Sequence, residues 1–207
     1  MDNYNIPLLP DCTYHVFSRA NGNDKLFLNE DNYKFFLAKF KMYVSPVADT
    51  FAYNLLPNHF HFLIRIKSLE NIRFHFSNLK KNKVFQIEDV PEFVMERFGN
   101  LLNSYAKSFN IRNKRKGSLF LDTMRRVEII KDDDFASEIF YVHKNAVHHQ
   151  YVAAIEQWEW SSYKSLLSQS PTILLRNEVM NFFGNKEEFI KFHQQPIYPK
   201  TNGLEDE

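Results

Sequence analysis

His59, Phe60 and His61 open a strongly apolar run that ends at Ile66. Side chains alternate between faces along an extended strand, so the two imidazoles share one face while Phe60 takes the other. Neutral imidazole is a common metal ligand, and the pair with a third ligand and a phosphate oxygen would complete a site for Mn²⁺ or Mg²⁺. The alternative is two half-buried histidines hydrogen-bonded to backbone. Tyr105, in the run LLNSYAKSFN, is a candidate nucleophile if its phenol is activated. Its alternative is a helix tyrosine that packs by its ring and keeps its hydroxyl wet. His143, His148 and His149 lie close in sequence, but histidines near a helix end more often cap carbonyls or face solvent than hold a second metal. Trp158 and Trp160 alternate in an apolar segment and read as packing residues rather than as platforms for bases.

The elements that must position these groups are legible from periodicity. Tyr14 to Ser18 reads as a strand, followed by a turn over Arg19 to Asp24. Asn29 is a plausible N-cap for a helix carrying Tyr33, Phe36, Leu37, Phe40 and Val44, with Pro46 just past its end. Thr50 to Leu56 and Phe60 to Ile66 form a predicted hairpin about Pro57-Asn58. Strand, helix and hairpin make half of a split βαβ layout. A long amphipathic helix from about Pro91 to Arg112 carries Tyr105. The basic loop Arg112 to Gly117 leads to a last strand or extended segment near Ser118 to Ile130. Asp132-Asp133-Asp134 marks a further helix start, its acids at the positive end of the helix dipole. Pro171-Thr172 and Gly184-Asn185 divide the remainder into shorter helices, and Thr201 to Glu207 reads as a frayed tail.

The chain has 207 residues, enough for one domain with a helical extension. Its 44% hydrophobic content, with 21 Phe and 10 Tyr, excludes general disorder. Cys12 is the only cysteine, so a disulfide framework and a cysteine-rich zinc site are excluded and a reducing, cytoplasmic location fits. No stretch approaches the roughly 18 apolar residues of a membrane span. The net charge of +1 conceals an uneven distribution, minus 1 over residues 1–64, plus 8 over 65–131 and minus 6 over 132–207. A basic centre of this kind suits a polyanion-binding face.

Several spaced runs occur together in order: YHVFSRANG over 14–22, LPNHFHFLI over 56–64, SYAKSFN over 104–110, KGSLF over 116–120, YVHKNAVHH over 141–149 and WEWSSY over 158–163. In this order they resemble the REP-associated tyrosine transposases, of the HUH type that acts on single-stranded DNA. The resemblance covers roughly residues 13 to 193. It implies an α+β fold: a ferredoxin-like core with a central antiparallel sheet and packed helices, plus a helical C-terminal extension. The catalytic core would span 1–131, the extension 132–200, and 201–207 a tail. It further implies a divalent metal on His59 and His61, and attack by Tyr105 on a phosphodiester to leave a 5′-phosphotyrosine and a free 3′-hydroxyl. Single-stranded or hairpin DNA is the implied partner. Lys114, Arg115, Lys116, Arg125 and Arg126 are candidate phosphate contacts, with Arg19 and Lys107 in the same set. A homodimer that exchanges the tyrosine-bearing helix stays open.

The chain departs from the family pattern at informative places. Related transposases place a third, polar metal ligand one helical turn after the tyrosine; here that position is Phe109. Asn110 is the substitute, although five residues along a helix turn it roughly 140° away. Leu121 to Arg126 replaces a frequent Gln-x-Arg-Phe-Lys, and Ala146 stands where proline is frequent. Two alternatives follow: a hairpin-binding descendant that no longer cleaves, and an unrelated metal-dependent hydrolase, for which Glu70 is the nearest downstream carboxylate.

Overall fold

The computed structural model describes residues 5–121 and 124–196. Its centre is a four-stranded antiparallel sheet in the order β2-β3-β1-β4, made by β1 (Thr13–Arg19), β2 (Ala48–Leu55), β3 (His59–Ile66) and β4 (Arg125–Ile129). β1 pairs with β3 on one side and β4 on the other. The fold is α+β, and this strand order is that of a ferredoxin-like sheet. Seven α-helices accompany the sheet among the described residues: α1 (Glu30–Tyr43), α2 (Leu69–Leu79), α3 (Val90–Arg112), α4 (Asp132–His148), α5 (Tyr163–Leu167), α6 (Arg176–Phe183) and α7 (Lys186–His193). None is long and apolar enough to cross a membrane. Residues 1–4, 122–123 and 197–207 lie outside the described residues, and with them the expected tail.

Strand alternation gives the sheet two different faces. Tyr14 and Val16 of β1 and Phe60, Phe62, Ile64 and Ile66 of β3 point to one face, where α1 and α3 supply Phe36, Phe40, Phe98, Leu101 and Tyr105. Phe40 lies flat on Phe62, ring centroids 4.1 Å apart. α1 begins where Asn29 predicts: its side chain accepts from Asn32 N at 3.2 Å, and Asn32 Oδ1 accepts in return from Leu28 N at 2.9 Å. The second face is covered by α4 and the C-terminal helices, around Phe51, Leu63, Ile139, Val142, Tyr163, Val179 and Phe189. A register shift between Thr50 and Ala52 re-aims the end of β2 and puts Asn54 directly opposite His61.

The long helix predicted from Pro91 to Arg112 is present as α3. α2 was not anticipated. The last strand is the short β4, preceded by an isolated bridge between Ala20 and Phe120. Gly184, at φ 91°, ends α6 in a backbone conformation open to glycine, and Asn185 starts α7 by accepting from Glu188 N at 2.9 Å. A buried polar cluster ties α7 to α4 and β2: His143 Nδ1 lies 2.9 Å from His193 Nε2, and His143 Nε2 lies 2.8 Å from Ser162 Oγ. Ser162 Oγ in turn accepts from Tyr53 N at 2.8 Å. Desolvation holds both imidazoles below the ordinary histidine range, His193 at about 4.

Candidate active site

His59 and His61 face α4, as the strand alternation requires. His59 opposes Arg19 and His61 opposes Phe17 on β1, while Phe17 also opposes Arg125 on β4. Arg19, Phe17 and Arg125 therefore share the histidine face. Phe17 stacks on the His61 ring, centroids 5.8 Å apart and 22° between planes. Both histidines are almost fully buried.

α4 delivers the rest of the site. Glu138, Tyr141, Asn145 and His149 recur every three or four residues, which places them on one stripe of the helix. The Tyr141 ring meets His61 edge to face at 5.6 Å and His15 at 5.8 Å. Asn145 Oδ1 lies 2.9 Å from His59 Nε2, and the Asn145 amide nitrogen is buried without a hydrogen-bond partner. His149 packs against His59, rings 4.8 Å apart. Asn54 on β2 donates to Val142 O at 2.7 Å and so pins the middle of α4 to the sheet beside His61.

The polarity of His59 follows from its neighbours. Asn58 Oδ1 accepts from the Tyr151 hydroxyl at 3.3 Å and lies 2.8 Å from His59 Nδ1. An Nδ1–H donated to Asn58 leaves the Nε2 lone pair 2.9 Å from Asn145 Oδ1, another acceptor, so in that tautomer two lone pairs converge as they would on a shared cation. Two imidazoles and an amide oxygen are a donor set suited to a divalent cation. Among the described residues no group of three or more His, Cys, Asp or Glu side chains is arranged to hold a metal; beside the two imidazoles Asn145 brings an amide oxygen.

Tyr105 is elsewhere. It lies on the opposite sheet face, 1% exposed, with its ring against Phe27 and Phe36 and its hydroxyl donating to Leu26 O. Burial pushes its phenol far above the ordinary tyrosine range. The expectation that it stands beside the histidines is corrected: the side of α3 that carries it is the side that builds the aromatic core. Asn110 is corrected with it, since its amide donates to Gly117 O and accepts from Arg115, closing the loop after α3. The basic residues separate in the same way. Arg126 is buried and donates to Ile6 O at 2.5 Å and Met124 O at 3.1 Å, and Arg115 is tied to Asp24 and Ser118 O. Both hold structure. Lys107, Lys114 and Lys116 are exposed on α3 and its following loop, and Arg19 and Arg125 border the histidines. His143 belongs to the buried cluster with His193, not to a metal site with His148 and His149.

The sequence reading missed Tyr141, Asn145, His15 and Glu138. The available signal was the polar stripe at helical spacing on a helix with a buried face, and the match of Tyr141 and Asn145 to the tyrosine-plus-one-turn pattern sought at Tyr105.

No family model and no curated protein matches the chain. A solved REP-associated tyrosine transposase bound to a REP hairpin superposes with a TM-score of 0.59, at 13% identity, over 83% of this chain and 89% of that one. The chain has a tyrosine transposase fold. Its four-stranded sheet and packed helices are thus those of the transposase architecture. A bacterial tRNA(His) guanylyltransferase-like protein in complex with GTP reaches a TM-score of only 0.42, at 12% identity over 70% of this chain and 69% of its own, a level that general sheet-and-helix architecture produces.

Proposed function

We propose that the chain nicks and rejoins single-stranded DNA beside hairpins, with Tyr141 as the nucleophile. The observation that carries this reading is the meeting of Tyr141 and Asn145, one helical turn apart on α4, with the His61 and His59 rings respectively. The similarity to a hairpin-bound transposase supports the choice of substrate. The departure at Phe109 loses its force, because the polar residue one turn after the tyrosine is Asn145.

His59, His61 and Asn145 would hold the divalent ion, Mg²⁺ or Mn²⁺. When bound, it neutralises charge on a non-bridging phosphate oxygen. The chain's own residues do the remainder. α4 holds the Tyr141 ring against His61, which would convert a bimolecular attack by its hydroxyl into one with fixed partners. The Tyr141 oxygen forms a bond to phosphorus as the bond from phosphorus to the 3′-oxygen breaks. The phenolic proton is released and the departing 3′-oxygen takes one up. The product is a 5′-phosphotyrosine and a free 3′-hydroxyl; attack by another 3′-hydroxyl reverses the exchange and rejoins DNA. Arg19 and Arg125 share the histidine face and would meet phosphates of the approaching strand.

The test is incubation of end-labelled hairpin oligonucleotides bearing single-stranded flanks with the protein and Mn²⁺. A denaturation-resistant adduct that disappears in Tyr141→Phe and persists in Tyr105→Phe is expected. Loss in Tyr105→Phe with retention in Tyr141→Phe would overturn the assignment.

A further inference from the structure

We propose that Glu138 and His15 are a positioning pair that fixes the orientation and tautomer of His61. The proposal rests on the role of His61 as a metal ligand and extends it to two residues that touch neither metal nor DNA. His15 Nδ1 lies 3.2 Å from Glu138 Oε2, and His15 Nε2 lies 2.9 Å from His61 Nδ1. The three side chains are 1%, 5% and 1% exposed for His15, Glu138 and His61. Water therefore does not decide where the protons sit.

The proton order follows from donor and acceptor chemistry. The His15 Nδ1–Glu138 Oε2 contact is a charge contact rather than a hydrogen bond, and a buried carboxylate beside a ring nitrogen favours the proton on that nitrogen, so Nδ1 is the protonated position of His15. In the neutral His15 ring Nε2 is then a lone pair, and His61 satisfies it with a protonated Nδ1. The lone pair of His61 is left on Nε2, the ligating nitrogen on the far side of the ring. His59 obtains the same polarity from Asn58 Oδ1 by a shorter route. Ring orientation is fixed by the same set, since Phe17 stacks on His61 and Tyr141 meets it edge-on. Glu138 precedes Tyr141 on α4 by less than one turn, so one helix delivers both the nucleophile and the carboxylate that orients the metal ligand.

The experiment uses the full, metal-free chain with ¹⁵N-labelled histidine, reading the protonated ring nitrogen of His61 from two-bond ¹H–¹⁵N correlations, beside calorimetric titration with Mn²⁺. In the wild type His61 is expected to be protonated at Nδ1 alone. His15→Leu and Glu138→Leu, which leave no acceptor, should give mixed His61 tautomers and Mn²⁺ affinity about 10–100-fold weaker. His15→Gln, whose amide oxygen can accept from His61 Nδ1, should restore both. A wild-type ring protonated at Nε2 would overturn the proposal, as would a folded His15→Leu that keeps the wild-type tautomer and affinity. Failure of the wild type to bind Mn²⁺ would count against the metal site alone, because the tautomer spectra still decide the role of Glu138 and His15.

Discussion

Asn145 Oδ1 stands 2.9 Å from His59 Nε2, although one residue belongs to the fourth helix and the other opens the third strand. Replacing this amide should separate metal binding from folding. Asn145→Ala is expected to weaken Mn²⁺ binding by about 10-fold or more, at least the loss typical of outer-shell partners. Asn110→Ala should leave affinity unchanged. Calorimetric titration of both variants with Mn²⁺ checks the pair.

The two tyrosines should part company in stability as well as activity. Tyr105→Phe removes a buried hydrogen bond to Leu26 O and is expected to cost about 1–3 kcal/mol of unfolding free energy. Tyr141→Phe should abolish the DNA adduct while leaving stability within about 0.5 kcal/mol, since Tyr141 is only partly buried. Urea unfolding and adduct formation, measured on the same preparations, test this.

Neighbouring arginines on β4 point to opposite faces, so their loss should have different signatures. Arg125→Ala is expected to weaken single-stranded DNA binding and to reduce the slope of log affinity against log salt by about 1. Arg126→Ala abandons two backbone carbonyls and should instead destabilise the fold by about 1–3 kcal/mol with the salt slope unchanged. Fluorescence anisotropy over a salt series, paired with thermal melts, distinguishes them.

The buried His193 makes stability depend on mild acid. Its folded value, pushed down to about 4 by burial, lies below the ordinary 6.5, so between these values the unfolded chain binds more protons. Its contribution is complete above about pH 6.5 and lost as pH falls to about 4, amounting to about 3 kcal/mol. His143, depressed in the same direction, adds to the loss, and Lys144 contributes to holding His193 neutral. Urea unfolding at pH 7 and pH 4.5 should show a smaller drop for His193→Gln than for the wild type.

Much of the architecture was legible because it is written in repeats of two and of three to four. The strand around His59 and His61, the cap at Asn29, the reach of α3 and the break at Gly184-Asn185 each follow from local chemistry. The site was legible only by half. Two imidazoles on one strand face declare themselves within three residues, whereas their partners arrive from β1 and from α4, which are joined to β3 only through the sheet order and the packing of its second face. Tyr105 was attractive because it sits in an amphipathic helix after the histidines. Nothing local distinguishes a tyrosine buried among phenylalanines from one facing a metal site, and the choice depends on which sheet face each helix covers. Asn145 showed the required spacing from Tyr141 all along, but that spacing was sought at another tyrosine.

The sequence His59-Phe60-His61 also guards the assembly of the sheet. Pairing β3 one residue out of step would drive both imidazoles among Phe36, Phe40 and Tyr105 and turn Phe60 and Phe62 toward Glu138 and Asn145. Such a slip strands polar nitrogens in an aromatic interior and apolar rings in a polar one, so it is penalised twice. The residues proposed for catalysis thereby discriminate against misfolding: a chain that has paired its strands wrongly cannot bury its aromatic face, and a chain that has paired them correctly has already assembled its site.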